Sequence, residues 1–163
     1  MARLASEGNV KVWKVPTIAD LEAPTAVEIN AGEDLTPYMP TQGVDITWTQ
    51  NNASLAMLDE SFVAEVVGTE SATITLTGVR DDESDDFFDA FERGENFYLV
   101  IARFGFSGSG LGGAQEPAAT DVCEVYPCQS HRPVPMAPAE NEFQQAMCTL
   151  AVTDTPVLDA VVA

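Results

Sequence analysis

Positive charge is nearly missing from this sequence. Lys and Arg number 7 against 26 Asp and Glu, for a formal net charge of -19 over 163 residues. A tight grip on nucleic acid needs clustered Lys and Arg to displace counterions from phosphates, so a nucleic-acid-gripping domain is excluded. Binding to an anionic membrane surface is disfavoured for the same reason. Histidine is almost absent too: His131 stands alone, which restricts acid–base and metal chemistry. The three cysteines are an odd number, so they point to free thiols in a reducing compartment. No apolar run approaches the roughly 18–20 residues that span a bilayer. The opening MARLASEGNVKVW carries no apolar stretch of the roughly 7–15 residues that a secretory signal requires. What remains is a chain with 45% hydrophobic residues, enough for one ordinary folded domain over 1–163.

Along the chain, apolar alternation with a period of two dominates. Residues 10–15 (VKVWKV) alternate apolar and basic side chains and predict a strand. Pro16, Pro24, Pro37 and Pro40 then interrupt the chain, so residues 1–43 read as an N-terminal arm with edge strands. A β core over 44–153 follows. In residues 44–50, Val44, Ile46 and Trp48 face one way and Asp45, Thr47 and Thr49 the other. Residues 51–54 carry turn chemistry. Residues 61–67 and 72–79 flank a break at 68–71 and predict a hairpin, the second strand showing a row of Thr73, Thr75 and Thr77. A single helix is expected over 82–93, led by Asp81, with acids in its first turn, Phe87 and Phe91 one turn apart, and Gly94 as its stop. Residues 96–104, 121–130 and 143–153 read as further strands, with a Gly-rich loop at 107–119. The short apolar tail 154–163 cannot bury itself and reads as a C-terminal arm. The expected class is mainly β: two packed antiparallel sheets, sandwich- or barrel-like, with one flanking helix.

Motifs for chemistry are weak. Gly108–Gly113 fits G-x-G-x-x-G, but no helix opens after it to meet a pyrophosphate. Asp81, Glu83, Asp85, Asp89 and Glu92 fall in a calcium-loop register, yet Asp86 stands where the sharp turn needs glycine. An acidic helix start is the simpler reading. Cys123, Cys128, His131 and Cys148 lack the spacing of a zinc finger or knuckle, and buried thiols explain them better. No G-x-S-x-G is present, and any nucleophilic triad would depend on His131 in a Pro-flanked loop. The sequence therefore predicts no enzyme, no catalytic residues, no metal and no cofactor.

A resemblance carries more. Residues 14–20 (KVPTIAD), 23–25 (APT) and 29–35 (INAGEDL) are similar to the start of a bacteriophage major tail protein. So are FERG at 91–94 leading into YLVIAR at 98–103, then EVYP at 124–127, RPVP at 132–135, AEN at 139–141, and the ending LAVTDTPVLDAVVA at 150–163. The order of the pieces, over nearly the whole chain, is what makes the likeness specific. The family it resembles builds the tail tube of long, flexible, non-contractile tails.

The resemblance implies a structural virion protein, assembled in the bacterial host cytoplasm. Six subunits would form a ring, one sheet of each joining its neighbours around a lumen. Rings would stack around a tape-measure protein, meet tail terminator and distal tail proteins at the ends, and later pass double-stranded DNA without specific contacts. No membrane is involved. The acidity fits: a negative lumen repels phosphate, so DNA slides. Candidate lumen-facing residues are Glu65 (with Ser61), Thr73, Thr75 and Thr77, though an ordinary solvated sheet face explains these equally. Candidate inter-subunit residues are Pro37, Tyr38 and Met57 in the broken 36–58 segment and Val157, Leu158 and Val161 in the C-terminal arm, with Trp48 either interface or core. Two alternatives stay open: another virion β-protein (tail terminator, head–tail connector or decoration protein), or a calcium- or carbohydrate-binding module.

Overall fold

A computed structural model describes residues 9–55, 62–109, 115–138, 140 and 142–163. Its strands are β1 (Lys11–Val15), β2 (Glu33–Asp34), β3 (Val44–Leu55), β4 (Ala64–Val79), β5 (Asn96–Ala102), β6 (Gly108–Ser109), β7 (Gln115–Glu116), β8 (Val122–Ser130), β9 (Val134–Pro135), β10 (Gln145–Val152) and β11 (Val157–Val161). Among the described residues, two short α-helices, α1 (Ala26–Asn30) and α2 (Asp86–Asp89), and a 3-10 turn at Thr36–Tyr38 complete it. The chain is mainly β and antiparallel, as expected. Nine strands form one sheet in the order β2-β1-β5-β8-β10-β4-β3, with β11 paired to β8 and β9 to β10; β6 and β7 form a small separate ribbon.

That sheet is curled. β1 and β3 lie near its opposite ends, yet Val10 and Val12 line the same groove of about 710 Å³ as Val44 and Ile46. The concave face gathers the main core: Val12, Leu35, Ile74, Leu76, Phe97, Leu99, Ile101, Tyr126, Cys128, Cys148 and Leu150. A second core forms on the convex face of β1, β5 and β8, where Ile29 of α1 and Ala160 and Val162 at the C-terminus cover Val15, Val100, Cys123 and Val125. β5 is apolar on both faces because both are covered. α1 is short but well capped: the Thr25 hydroxyl accepts from the Glu28 amide while the Glu28 carboxylate accepts from the Thr25 amide.

Five expectations are corrected. The helix expected over 82–93 is one turn, Asp86–Asp89. The carbonyls that would extend it are taken from outside: Lys14 Nζ donates to Ala90 O, and Ser130 Oγ donates to Glu92 O. The turn expected at 51–54 lies inside β3. The break expected at 68–71 lies inside β4, so 61–67 and 72–79 are not hairpin partners; β4 pairs with β3 instead. Residues 11–15 are not an outlying arm, because β1 sits between β2 and β5 with Val12 and Val15 buried. The C-terminal arm docks on its own chain, with Ala160 and Val162 buried.

Candidate functional site

The convex face divides into two halves of opposite character. Over β1, β5 and β8 the chain covers itself, as above. Over β10, β4 and β3 none of the described residues is packed on it as a second core. There Thr73, Thr75 and Thr77 stand in register with Thr47 and Asp45 on β3 and with Thr149 and Met147 on β10. Alternation explains this: the even positions Ile74 and Leu76 enter the core, so the odd threonines point out.

β3 and β4 outrun the rest of the sheet. β10 accompanies β4 only as far as Thr73, and residues 64–71 pair with β3 alone. The result is a two-stranded ribbon in which every described side chain from Thr47 to Ser71 is exposed. It carries apolar residues in water: Val66 is 66% exposed and Val67 86%. The pairing moves from Gln50↔Glu70 to Asn52↔Val67, so β3 advances two residues while β4 advances three. One extra residue in β4 is a bulge, and it inverts the alternation beyond it. Gly68 permits it, because a side chain there would collide with the Asn51 carbonyl. Val67 and Glu65 therefore lie on the side of Trp48, and Val66 lies on the threonine side. Glu65 accepts a hydrogen bond from Asn52 Nδ2 at 3.3 Å.

The expected site residues are thus distributed as follows. Thr73, Thr75 and Thr77 share one face, and the bulge puts Glu65 on the other, so the two sets of lumen candidates are alternatives. Pro37 is exposed, whereas Tyr38 is half-buried against the core, and its hydroxyl bonds Asp86, which pushes its pKa up. Val157 packs on the convex core, while Leu158 and Val161 remain about half exposed. Met57 and Ser61 lie outside the described residues. Trp48 is exposed rather than core. The ribbon was missed because asparagines at 51–52 resemble a turn. One signal was available: no Gly or Pro occurs between Gly43 and Gly68.

The residues weighed for chemistry are used structurally. Asp85 is ion-paired with Arg80. Cys123 lies in the convex core and Cys128 and Cys148 in the concave one, on opposite sides of the sheet. Burial pushes these thiols up to about 11, 12 and 12, respectively, so they stay protonated. Among the described residues, no three His, Cys, Asp or Glu side chains gather in a way that would hold a metal ion, and no helix is long and apolar enough to cross a membrane.

The family model of the phage tail tube protein matches residues 1–163. The chain belongs to the phage tail tube protein family. It is a structural protein of the virion tail that builds the tube. Solved structures share the fold of this tail tube protein. One is the virion of a native gene transfer agent (GTA) particle, with TM-score 0.53, 14% identity, 96% of this chain covered and 100% of that one. Another is the tail of an empty GTA particle with C6 symmetry, with TM-score 0.53, 16% identity, 98% of this chain covered and 100% of that one. No curated protein matches this tail tube protein by sequence.

Proposed function

We propose that six copies of this tail tube protein close into a ring, that rings stack into the tube, and that the β3–β4 ribbon is the part of each copy that is completed by another. The observation that carries this is the ribbon itself. An isolated two-stranded hairpin is marginal in water, and this one exposes valines on both sides. A second chain that covers them converts an aggregation hazard into assembly. The sixfold count takes its support from the C6 symmetry of the GTA tail with the same fold.

In this reading Thr73, Thr75 and Thr77 line the lumen, and Glu65, Pro37, Leu158 and Val161 serve contacts between copies. The net charge of -19 keeps the wall negative, so passing DNA is repelled over about 8–10 Å at physiological salt. Assembly in the host cytoplasm around a tape-measure protein, with a terminator and distal tail proteins at the two ends, completes the reading. The protein has no catalytic role.

Negative-stain microscopy of the purified chain tests it. Stacked rings with sixfold averages are expected. A chain that remains monomeric at high concentration would sink the proposal, and single closed rings that never stack would favour a terminator or connector. The paired change Val66→Glu and Val67→Glu should leave the melting temperature within about 2 °C, since both positions are already wet, while abolishing tubes.

A further inference from the structure

We propose that a groove bordered by Arg93, His131 and Arg132 receives the carboxylates of Asp81, Asp82 and Glu83 from a second copy of this chain, a contact that rests on the tube assembly above. Cations are scarce here, and three of the six described lysines and arginines are already engaged. Lys14 pairs with Glu95, Arg80 with Asp85 and Arg103 with Glu124. Arg93 and Arg132 make no ion pair among the described residues. Yet they line one groove of about 530 Å³, together with His131, Val134, Met147 and Thr149.

The groove is held in shape by the backbone. The His131 amide donates to Thr149 O at 2.9 Å, and Val134 pairs with Met147. On the other side, the Gly94 amide donates to Ser130 O at 2.9 Å, and Gln129 Nε2 donates to Gly94 O at 3.2 Å. Both arginine-bearing segments are therefore tied to the end of β8. Met147 and Val134 are exposed in the same groove, an apolar surface on which arginine stems can lie while their guanidinium forks meet planar carboxylates.

The occupant follows from charge and position. In a chain of net charge -19, copies repel one another almost everywhere, and a spot with two free guanidiniums inverts that locally. Residues 81–84 are exposed and carry three carboxylates in the first three positions. The run is anchored for presentation: the Arg80 amide donates to Gln144 O at 2.8 Å, and the Glu83 amide donates to Asp81 Oδ1 at 3.1 Å. It leaves the end of β4, on one flank of β10, whereas the groove lies toward β9 on the other flank. Two different surfaces on opposite flanks make a head-to-tail contact, the kind that closes rings or extends filaments. Seating carboxylates there also neutralises a positive spot that borders the threonine face.

Charge reversal tests the contact in the full-length protein. Arg93→Glu with Arg132→Glu should melt like wild type and raise the protein concentration needed for tubes by about tenfold or more. The milder Arg93→Gln with Arg132→Gln should act in the same direction. Asp81→Lys, Asp82→Lys and Glu83→Lys together should show the same defect. Mixing the two charge-reversed proteins should restore tubes, because each copy then meets its complement. Groove variants that assemble like wild type, or a defect that the reversed 81–83 partner fails to rescue, would overturn this occupant. A wild-type chain that forms no rings at all would instead overturn the assembly reading beneath it.

Discussion

The two halves of the convex face use the same strand alternation to different ends. Over β1, β5 and β8 the outward residues are Val15, Val100 and Val125, and the chain spends α1 and its last residues covering them. Over β10, β4 and β3 the outward residues are Thr149, Thr73, Thr75 and Thr77, and no core of described residues is placed over them. The first half is finished within one copy and governs stability. The second half and its ribbon are left open and, in the function proposed above, govern assembly. Substitutions should therefore separate the two properties cleanly.

The largest effect should come from removing the cover. Deleting residues 156–163 takes away Ala160 and Val162 and bares Val15, Cys123 and Val125. A loss of several kcal/mol is expected, large enough to leave little folded protein, on the scale of other core deletions. Circular dichroism and thiol labelling would measure it, with Cys123 alkylated far faster than in the intact chain, where burial holds its pKa near 11. A truncated subunit that melts normally and merely fails to assemble would restore the idea of a free docking arm. Next comes a single core position: Val100→Ala should cost about 1–3 kcal/mol, against less than about 0.5 kcal/mol for Thr75→Ala on the open half, both by thermal melting. Equal costs would erase the distinction between the halves.

A gain should be available in the covered half. Thr120 has φ +78°, a left-handed conformation that a β-branched residue resists, and its amide is held by Val162 O at 2.8 Å. Thr120→Gly should stabilise by about 1 kcal/mol in denaturant melts; no gain would mean the turn's strain is absent in solution. The smallest effect concerns pH. The Thr25 amide and hydroxyl, with the Ala19 amide, bond the Glu28 carboxylate and lower its pKa. The contribution is present above the ordinary carboxylate value near ~4.3 and is lost as pH falls through the lower folded value. Glu28→Gln should flatten the acid side of the stability curve slightly; an unchanged curve would show that the cap is dispensable.

Much of this was legible in the residues themselves. β1, β5, β8 and β10 follow from alternation and β-branched content within a few residues of each bound. The cover was half legible: residues 154–163 were clearly too apolar to stay wet, but only the β8 edge at Val122–Val125 shows where they go. The helix was misread because its carbonyls are claimed from far away in the chain, by Lys14 and Ser130. No local propensity registers such partners. The threonine row was visible as a face, whereas the side taken by Glu65 was not, since a bulge leaves the same local letters as a turn.

That bulge makes the ribbon a counting device. One residue inserted between Gly68 and Ala72, or Thr69 deleted, exchanges everything toward the tip, so that glutamate and valine trade places across the ribbon. Two residues inserted there put each side chain back where it was and only lengthen the reach. Related chains should therefore tolerate even changes of length in this stretch far more readily than odd ones, whatever residues they insert.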